Sequence, residues 1–422
     1  GGHISPILTG CNSLRIQEVD VRHEATAVFA ADAVSRLSNS IGVVAVTAGP
    51  GLTNTITAIK NAQMAQVPIL ILGGATATIL KGRGSLQDID HLRLVESITK
   101  FTATIKRVRD IPAILNKAIQ IAKSNVPGPV FVELPIDILY PENLVREWYG
   151  LKSDKRSMSW WLTQYLNWNV NRIFKNKDRT NFQFNGHGFQ RKTSMHLSRV
   201  SNIICNAKKP LLLIGSQSIL NFDKINLLAN AIKILNIPTY VSGMARGLLC
   251  MDKLPIYRHD RKKSLRESDL VIMAGVPCDF RLDYGRHINH KAKIISINLS
   301  KQDLYLNRKP YYGILEDPGT FLIQFSQINM KKKWKTWHEI LKNRNQVRNK
   351  EILKQSEVKT KFINPLKICM YIDQYLEKGD IIISDGGDFV ATASYILQPR
   401  SLTGWLDPGI FGTLGVGAGF IL

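Results

Sequence analysis

The 422-residue sequence predicts an α/β fold built of parallel-sheet domains. Apolar runs of strand length alternate with helical patterns, glycine-bearing turns follow those runs, and the alternation restarts after a basic, asparagine-rich interruption. Strands that are apolar along their whole length are buried on both faces, which is the habit of parallel sheets.

Taken in order, a short strand over 15–21 leads to a helix from about Glu24 to Arg36, with Val28, Phe29, Ala33 and Leu37 at helical spacing. Glu24 stands at the helix start. An acid there is favoured by the helix dipole alone. Set partly against the apolar stripe, its carboxyl is also expected to titrate above the usual range and so to handle a proton near neutrality. A strand over 41–47 then meets the turn Ala48-Gly-Pro-Gly-Leu-Thr-Asn54, followed by a helix over 55–65 and a strand over 67–72. Ligands of such sheets bind beyond the carboxyl ends of the strands, where this turn falls. Its glycines permit close backbone approach, and Asn54 offers donors and an acceptor.

The run over 130–134 closes the first domain. A second set of strands is expected over 210–214, 237–241, 270–274 and 293–297, with Gly215, Gly275 and Arg281 at turns that either line a nucleotide site or simply reverse the chain. A last strand over 380–384 leads into Asp385-Gly-Gly-Asp388, and later comes the turn Gly409-Ile-Phe-Gly-Thr-Leu-Gly415. The boundaries read as 1–144, a basic aromatic linker 145–197, a Rossmann-like 198–328, a charged helical connector 329–363, and the start of a third domain at 364–422.

Composition is that of a globular protein, 44% hydrophobic and 21% charged. The five cysteines form no Cys-x-x-Cys pair and read as reduced thiols. The longest apolar stretch, 67–80, falls short of the roughly 20 residues that span a bilayer. The formal charge of +23 is concentrated in 152–209, with Lys155, Arg156, Arg172, Lys175, Lys177, Arg191 and Lys192, and in a helix expected over 331–361. No nucleic-acid motif accompanies these runs, so nucleic acid is not an expected partner and solvated faces explain them. The stretch 159–175 mixes tryptophans with cations, as helices lying on a membrane surface do; packing against neighbouring domains is the other reading, and the favoured one.

The runs Arg22-His-Glu-Ala-Thr-Ala-Val-Phe-Ala-Ala-Asp-Ala33, Ala48 to Asn54 and Pro127-Gly-Pro-Val-Phe-Val-Glu-Leu-Pro-Ile-Asp137 resemble the first domain of thiamine-diphosphate enzymes of the acetolactate synthase group. Gly1 to Pro6, Asn61 to Gln66 and Trp405 to Gly419 resemble the animal, 2-hydroxyacyl-CoA-cleaving branch of that group. The likeness extends over nearly the whole chain and implies the three-domain fold of these enzymes.

That resemblance implies thiamine diphosphate and Mg2+ as cofactors, with FAD or an adenine nucleotide as a further option in the central domain. By it, Glu24 hydrogen-bonds the cofactor's pyrimidine, Gln87 is an active-site glutamine, and His23 either faces substrate or lies at the surface or behind the site. Gly49, Pro50 and Asn54 shape the pyrimidine side; Asp385 and Gly386 lie on the diphosphate side. The Gly412 carbonyl accepts from the 4′-amino group, and Leu414 wedges between the two rings, unless it merely packs a core. The implied reaction is cleavage of a 2-hydroxyacyl-CoA to formyl-CoA and an aldehyde, with condensation of pyruvate, or a non-catalytic membrane-associated role, as alternatives. A homodimer or homotetramer and an endoplasmic reticulum membrane location are also implied.

No Gly-Asp-Gly metal motif occurs in the chain, so its ligands are expected beyond Leu422, and the chain is expected to be a fragment cut short at both ends.

Overall fold

A computed structural model describes residues 1–38, 40–151, 159–177, 194–328 and 334–422. Contacts divide the chain into two units, 1–188 with 418–422, and 189–417. Both are α/β with parallel sheets, as the apolar runs predict.

The first unit runs α1 (Ser5–Ser13), α2 (Glu24–Leu37), β1 (Gly42–Val46), α3 (Pro50–Thr53), α4 (Ile56–Met64), β2 (Ile69–Ala75), α5 (His91–Val95), β3 (Thr102–Thr104), α6 (Ile111–Lys123), β4 (Val130–Pro135), α7 (Ile136–Leu139), α8 (Glu142–Trp148) and α9 (Trp160–Phe174). Its four strands are parallel in the order β1-β2-β4-β3. Strand β4 is buried at every residue, so any polar side chain on it must find partners inside the protein. Helix α6 starts with Pro112 in its first turn, buries Ala118 and Ala122, and ends where the Lys100 ammonium takes the carbonyls of Ile121 and Ser124.

Residues 15–21 do not form the expected strand. Val19 and Val21 share one strand face with Arg15 and Gln17, and Ile16 shares the other with Glu18 and Asp20, so neither face is apolar throughout, and Ile16 and Val19 lie exposed. Strand β3 went unread because it is three residues long and threonine-rich. Strand β2 begins later and runs further than expected, ending on Gly73, Gly74 and Ala75, where glycine admits the ring of Phe131 against the backbone.

Helix α9 is apolar on two sides. Leu166, Val170, Ile173 and Phe174 join the first unit's core, while Trp160, Trp161, Tyr165 and Trp168 are exposed. The Arg172 guanidinium sits 5.2 Å from the Trp168 ring. Lys155, Arg156, Arg191 and Lys192 lie outside the described residues. Among the described residues no helix is long and apolar enough to cross a membrane.

The second unit continues with α10 (Ser194–Cys205), β5 (Pro210–Ile214), α11 (Ile225–Leu235), β6 (Thr239–Val241), α12 (Arg261–Glu267), β7 (Leu270–Ala274), β8 (Lys293–Ile297), α13 (Lys301–Leu304), β9 (Tyr312–Ile314), α14 (Pro318–Phe325), α15 (Lys335–Ser356), α16 (Pro365–Tyr375), β10 (Ile382–Ile383), α17 (Gly387–Ile396) and β11 (Trp405–Leu406). The order β6-β5-β7-β8-β9, all parallel, is that of a doubly wound sheet with its switch point between β5 and β7. The charged helix α15 is shorter than the expected 331–361; residues 331–333 lie outside the described ones. It is anchored where Trp334 and Trp337 donate their indole N–H groups to the carbonyls of Ala207 and Pro210 at 3.0 and 3.1 Å. All five cysteines are free thiols.

Candidate active site

The candidate residues of the first unit gather at the carboxyl ends of its strands. Helix α2 is held by the buried Val28 and Phe29, and His23 caps it, its Nδ1 accepting from the Ala25 amide at 3.1 Å. The ring is thus committed to the helix start and stands in solvent. Glu24, the first helical residue, accepts at Oε2 from the Asn54 amide at 3.0 Å. Its pKa departs from expectation. Burial pushes it up, but the Asn54 hydrogen bond, the helix-start backbone and nearby His23 outweigh burial and hold the carboxyl below its usual range. Desolvation is the largest single effect on Glu24, as the apolar stripe suggested, and only the partners acting together outweigh it.

Gly49 adopts φ +58°, and a Cβ there would stand 2.9 Å from the Cβ of Gln87, so only glycine allows the close approach of these two. Gln87 itself has φ +64°. The Gly49 carbonyl accepts from Leu52 and Thr53, and Pro50 opens helix α3. The structure therefore brings Glu24 together with Asn54, and Gln87 together with Gly49.

Sequence reading missed the group behind them. The Gly49 amide donates to Nε2 of His91 at 2.9 Å, so the ring proton lies on Nδ1, which donates to Oε1 of Glu133 at 2.9 Å. Oε2 of Glu133 accepts from Lys81 at 2.8 Å and from the Thr104 hydroxyl at 2.6 Å. Glu133 is fully buried on β4. Burial alone would raise its pKa; the bonds from His91, Lys81 and Thr104 overcome this and hold it at about 2. The available signal was an acid within an otherwise apolar strand. Nearby Asp137, also buried, accepts from the Thr78 amide and the Tyr149 hydroxyl at 3.0 and 2.8 Å, and burial, followed by the negative charge of Asp137, pushes the Tyr149 phenol far up.

In the second unit Asp385 is occupied as a local cap. Oδ1 accepts from the Gly415 and Val416 amides at 2.8 and 3.3 Å, and Oδ2 from Gly417 at 3.1 Å. Gly386 leaves room for Leu414, whose Cδ2 would lie 2.2 Å from a Cβ at that position. Leu414 is nevertheless 67% exposed, which argues against a purely core role. Gly412 has φ +70°, and its carbonyl accepts no hydrogen bond among the described residues. The switch point between β5 and β7 is closed: a Cβ on Gly215 would stand 2.3 Å from the Gly275 carbonyl oxygen, and Gln217 bonds Asn298 across it at 3.0 Å. Arg281 is paired with Asp279 at 2.6 Å. These glycines serve backbone packing, and nothing here supports FAD.

Each unit by itself offers groups that suit the organic part of the implied cofactor: the first the Glu24 carboxylate, the second an exposed leucine and a carbonyl with no hydrogen bond among the described residues. Among the described residues no cluster of three or more His, Cys, Asp or Glu could hold a metal ion.

Comparison with known proteins agrees with this donor set. The N-terminal thiamine pyrophosphate binding domain of thiamine pyrophosphate enzymes matches residues 1–94, and the central domain of those enzymes matches residues 197–325. The chain is 44% identical to 2-hydroxyacyl-CoA lyase 2 of Danio rerio over 433 residues, covering 100% of this chain and 69% of the relative. It is 42% identical to the Homo sapiens protein of that name, covering 100% and 68%. A probable acetolactate synthase of Mycobacterium bovis is 27% identical, covering 100% and 71%.

Proposed function

The chain belongs to the thiamine pyrophosphate enzyme family, and on that premise we propose that it is a carbon–carbon lyase cleaving 2-hydroxyacyl-CoA to formyl-CoA and an aldehyde one carbon shorter. The observation that carries the substrate class is the 44% identity to a 2-hydroxyacyl-CoA lyase 2 along the whole chain, against 27% for an acetolactate synthase.

When bound, thiamine diphosphate supplies a nucleophilic carbon and accepts the electron pair released on carbon–carbon cleavage. The chain's own contribution is positioning and proton control. Glu24, favoured as the anion by Asn54, would hold the pyrimidine ring of that group through its carboxylate. In the second unit the exposed Leu414 and the Gly412 carbonyl would offer an apolar wedge and an acceptor to such a cofactor, and Gln87 of the first unit would offer an amide to the substrate. Mg2+, a homodimer or homotetramer, and residence at the endoplasmic reticulum membrane form part of the same reading. The exposed aromatic face of α9 supports contact with a membrane surface.

The test incubates the full-length protein with thiamine diphosphate, Mg2+ and a 2-hydroxyacyl-CoA and measures formyl-CoA and aldehyde. Acetolactate from pyruvate, with no turnover of the CoA ester, would replace this reading with the synthase one.

A further inference from the structure

The loop between Lys81 and His91 joins β2 to α5 and carries Gln87. Its interior is irregular. Gly82 and Gly84 take φ +76° and +78°, Gln87 is left-handed as well, and Leu86 is 83% exposed. A few internal bonds shape it, among them the Gly82 amide to Asp88 at 2.5 Å and the Asp88 amide to the Ser85 carbonyl at 3.2 Å. Such a loop, short of buried apolar contacts, is held in place by its ends.

Both ends meet on one carboxylate. Lys81, at the entrance, donates to Oε2 of Glu133, and His91, at the exit, donates to Oε1. The same His91 ring accepts the Gly49 amide, and Gly49 is the residue against which Gln87 packs. A buried carboxylate is costly unless every lone pair is used, and here the partners are the two ends of one loop, with Thr104 completing the set. A carboxylate that merely filled the core would not need both.

We propose that Glu133 is a positioning residue whose carboxylate clasps the two ends of the Lys81–His91 loop and thereby holds Gln87 against the Gly49 turn. His91 transmits the clasp to the turn, and Lys81 fixes the entrance. The part that concerns Gln87 in turnover rests on the lyase reading; the clasp itself does not.

The experiment uses the full-length protein with bound thiamine diphosphate and Mg2+, its Glu133→Gln variant and, should that fail to fold, Lys81→Met, whose side chain is 42% exposed. Hydrogen exchange of amides 82–90 is read against those of β1 and α6. Exchange in the loop should quicken by about tenfold or more while the reference amides stay put. In the same proteins, Gln87→Ala should cost about tenfold or more in kcat beside native Glu133 and less than about threefold beside either variant, because a mispositioned glutamine has little left to lose. Unchanged exchange in 82–90 would overturn the clasp, and an equal cost of Gln87→Ala in both backgrounds would overturn its link to Gln87. Failure of the native protein to cleave a 2-hydroxyacyl-CoA would strike the lyase reading and leave the exchange result to decide the clasp.

Discussion

Asn54 donates its side-chain amide to Glu24 at 3.0 Å, tying the turn after β1 to the first residue of α2. This bond favours the ionised carboxylate, and the pKa of Glu24 lies below the usual range despite the opposing effect of burial. A depressed carboxyl stays charged to lower pH. Asn54→Ala therefore moves the Glu24 titration up, and the acid limb of kcat/KM, recorded against pH, shifts to higher pH by the same direction. A limb that stays in place would separate Glu24 from the rate.

Glu24→Gln keeps the size of the side chain and removes its charge. Cleavage should fall by roughly a hundredfold or more, in the range for a proton-handling group. The melting temperature should change by no more than a few degrees, because the residue is a half-exposed helix-start acid. Parallel turnover and thermal scans check both.

Leu414 is exposed, so truncation to Ala should cost within about 0.5 kcal/mol of stability in urea unfolding. Thiamine diphosphate affinity and kcat should both drop. A large loss of stability with unchanged cofactor binding would reduce Leu414 to packing.

Glu133 gives a stability prediction with a definite sign. Its folded pKa of about 2 lies below the 4.5 of an ordinary glutamate, so the unfolded chain binds its proton first. The stability it contributes is complete above pH 4.5 and is lost as pH falls towards 2. Between pH 5 and pH 3 that amounts to about 2 kcal/mol, visible as a falling urea midpoint, and Glu133→Gln should flatten this part of the profile.

How much was legible follows from what leaves a local signature. The strands over 210–214, 270–274 and 293–297 were read to the residue because the first two are closed apolar runs and the third carries three isoleucines in five residues, each bounded by turn residues. Glu24 and Asn54 were found as separate residues, since motif and turn chemistry mark each one. Their pairing was not legible, because it joins elements far apart in sequence. The direction of the Glu24 shift was misjudged for the same reason: the apolar stripe beneath it is local, whereas the opposing amide arrives from the turn after β1. Glu133 carries one local mark, an acid in an apolar strand, but His91 and Lys81 carry none, and the parallel register that sets Glu133 beside Thr104 is not local. Asp385 also accepts from three amides of a later turn, bonds that join residues 30 or more apart and left no local mark.

The placement of the tryptophans gives the molecule an internal optical division. Trp148, Trp160, Trp161 and Trp168, all of the first unit, stand 45 to 77% in water, whereas Trp334, Trp337 and Trp405, all of the second, are at most 5% exposed. Emission from the first set is already red and open to a soluble quencher such as acrylamide; emission from the second is blue and shielded. Loss of structure in the second unit therefore moves the spectrum, while loss confined to the first changes it little, so native fluorescence distinguishes which half of the protein has melted without a label.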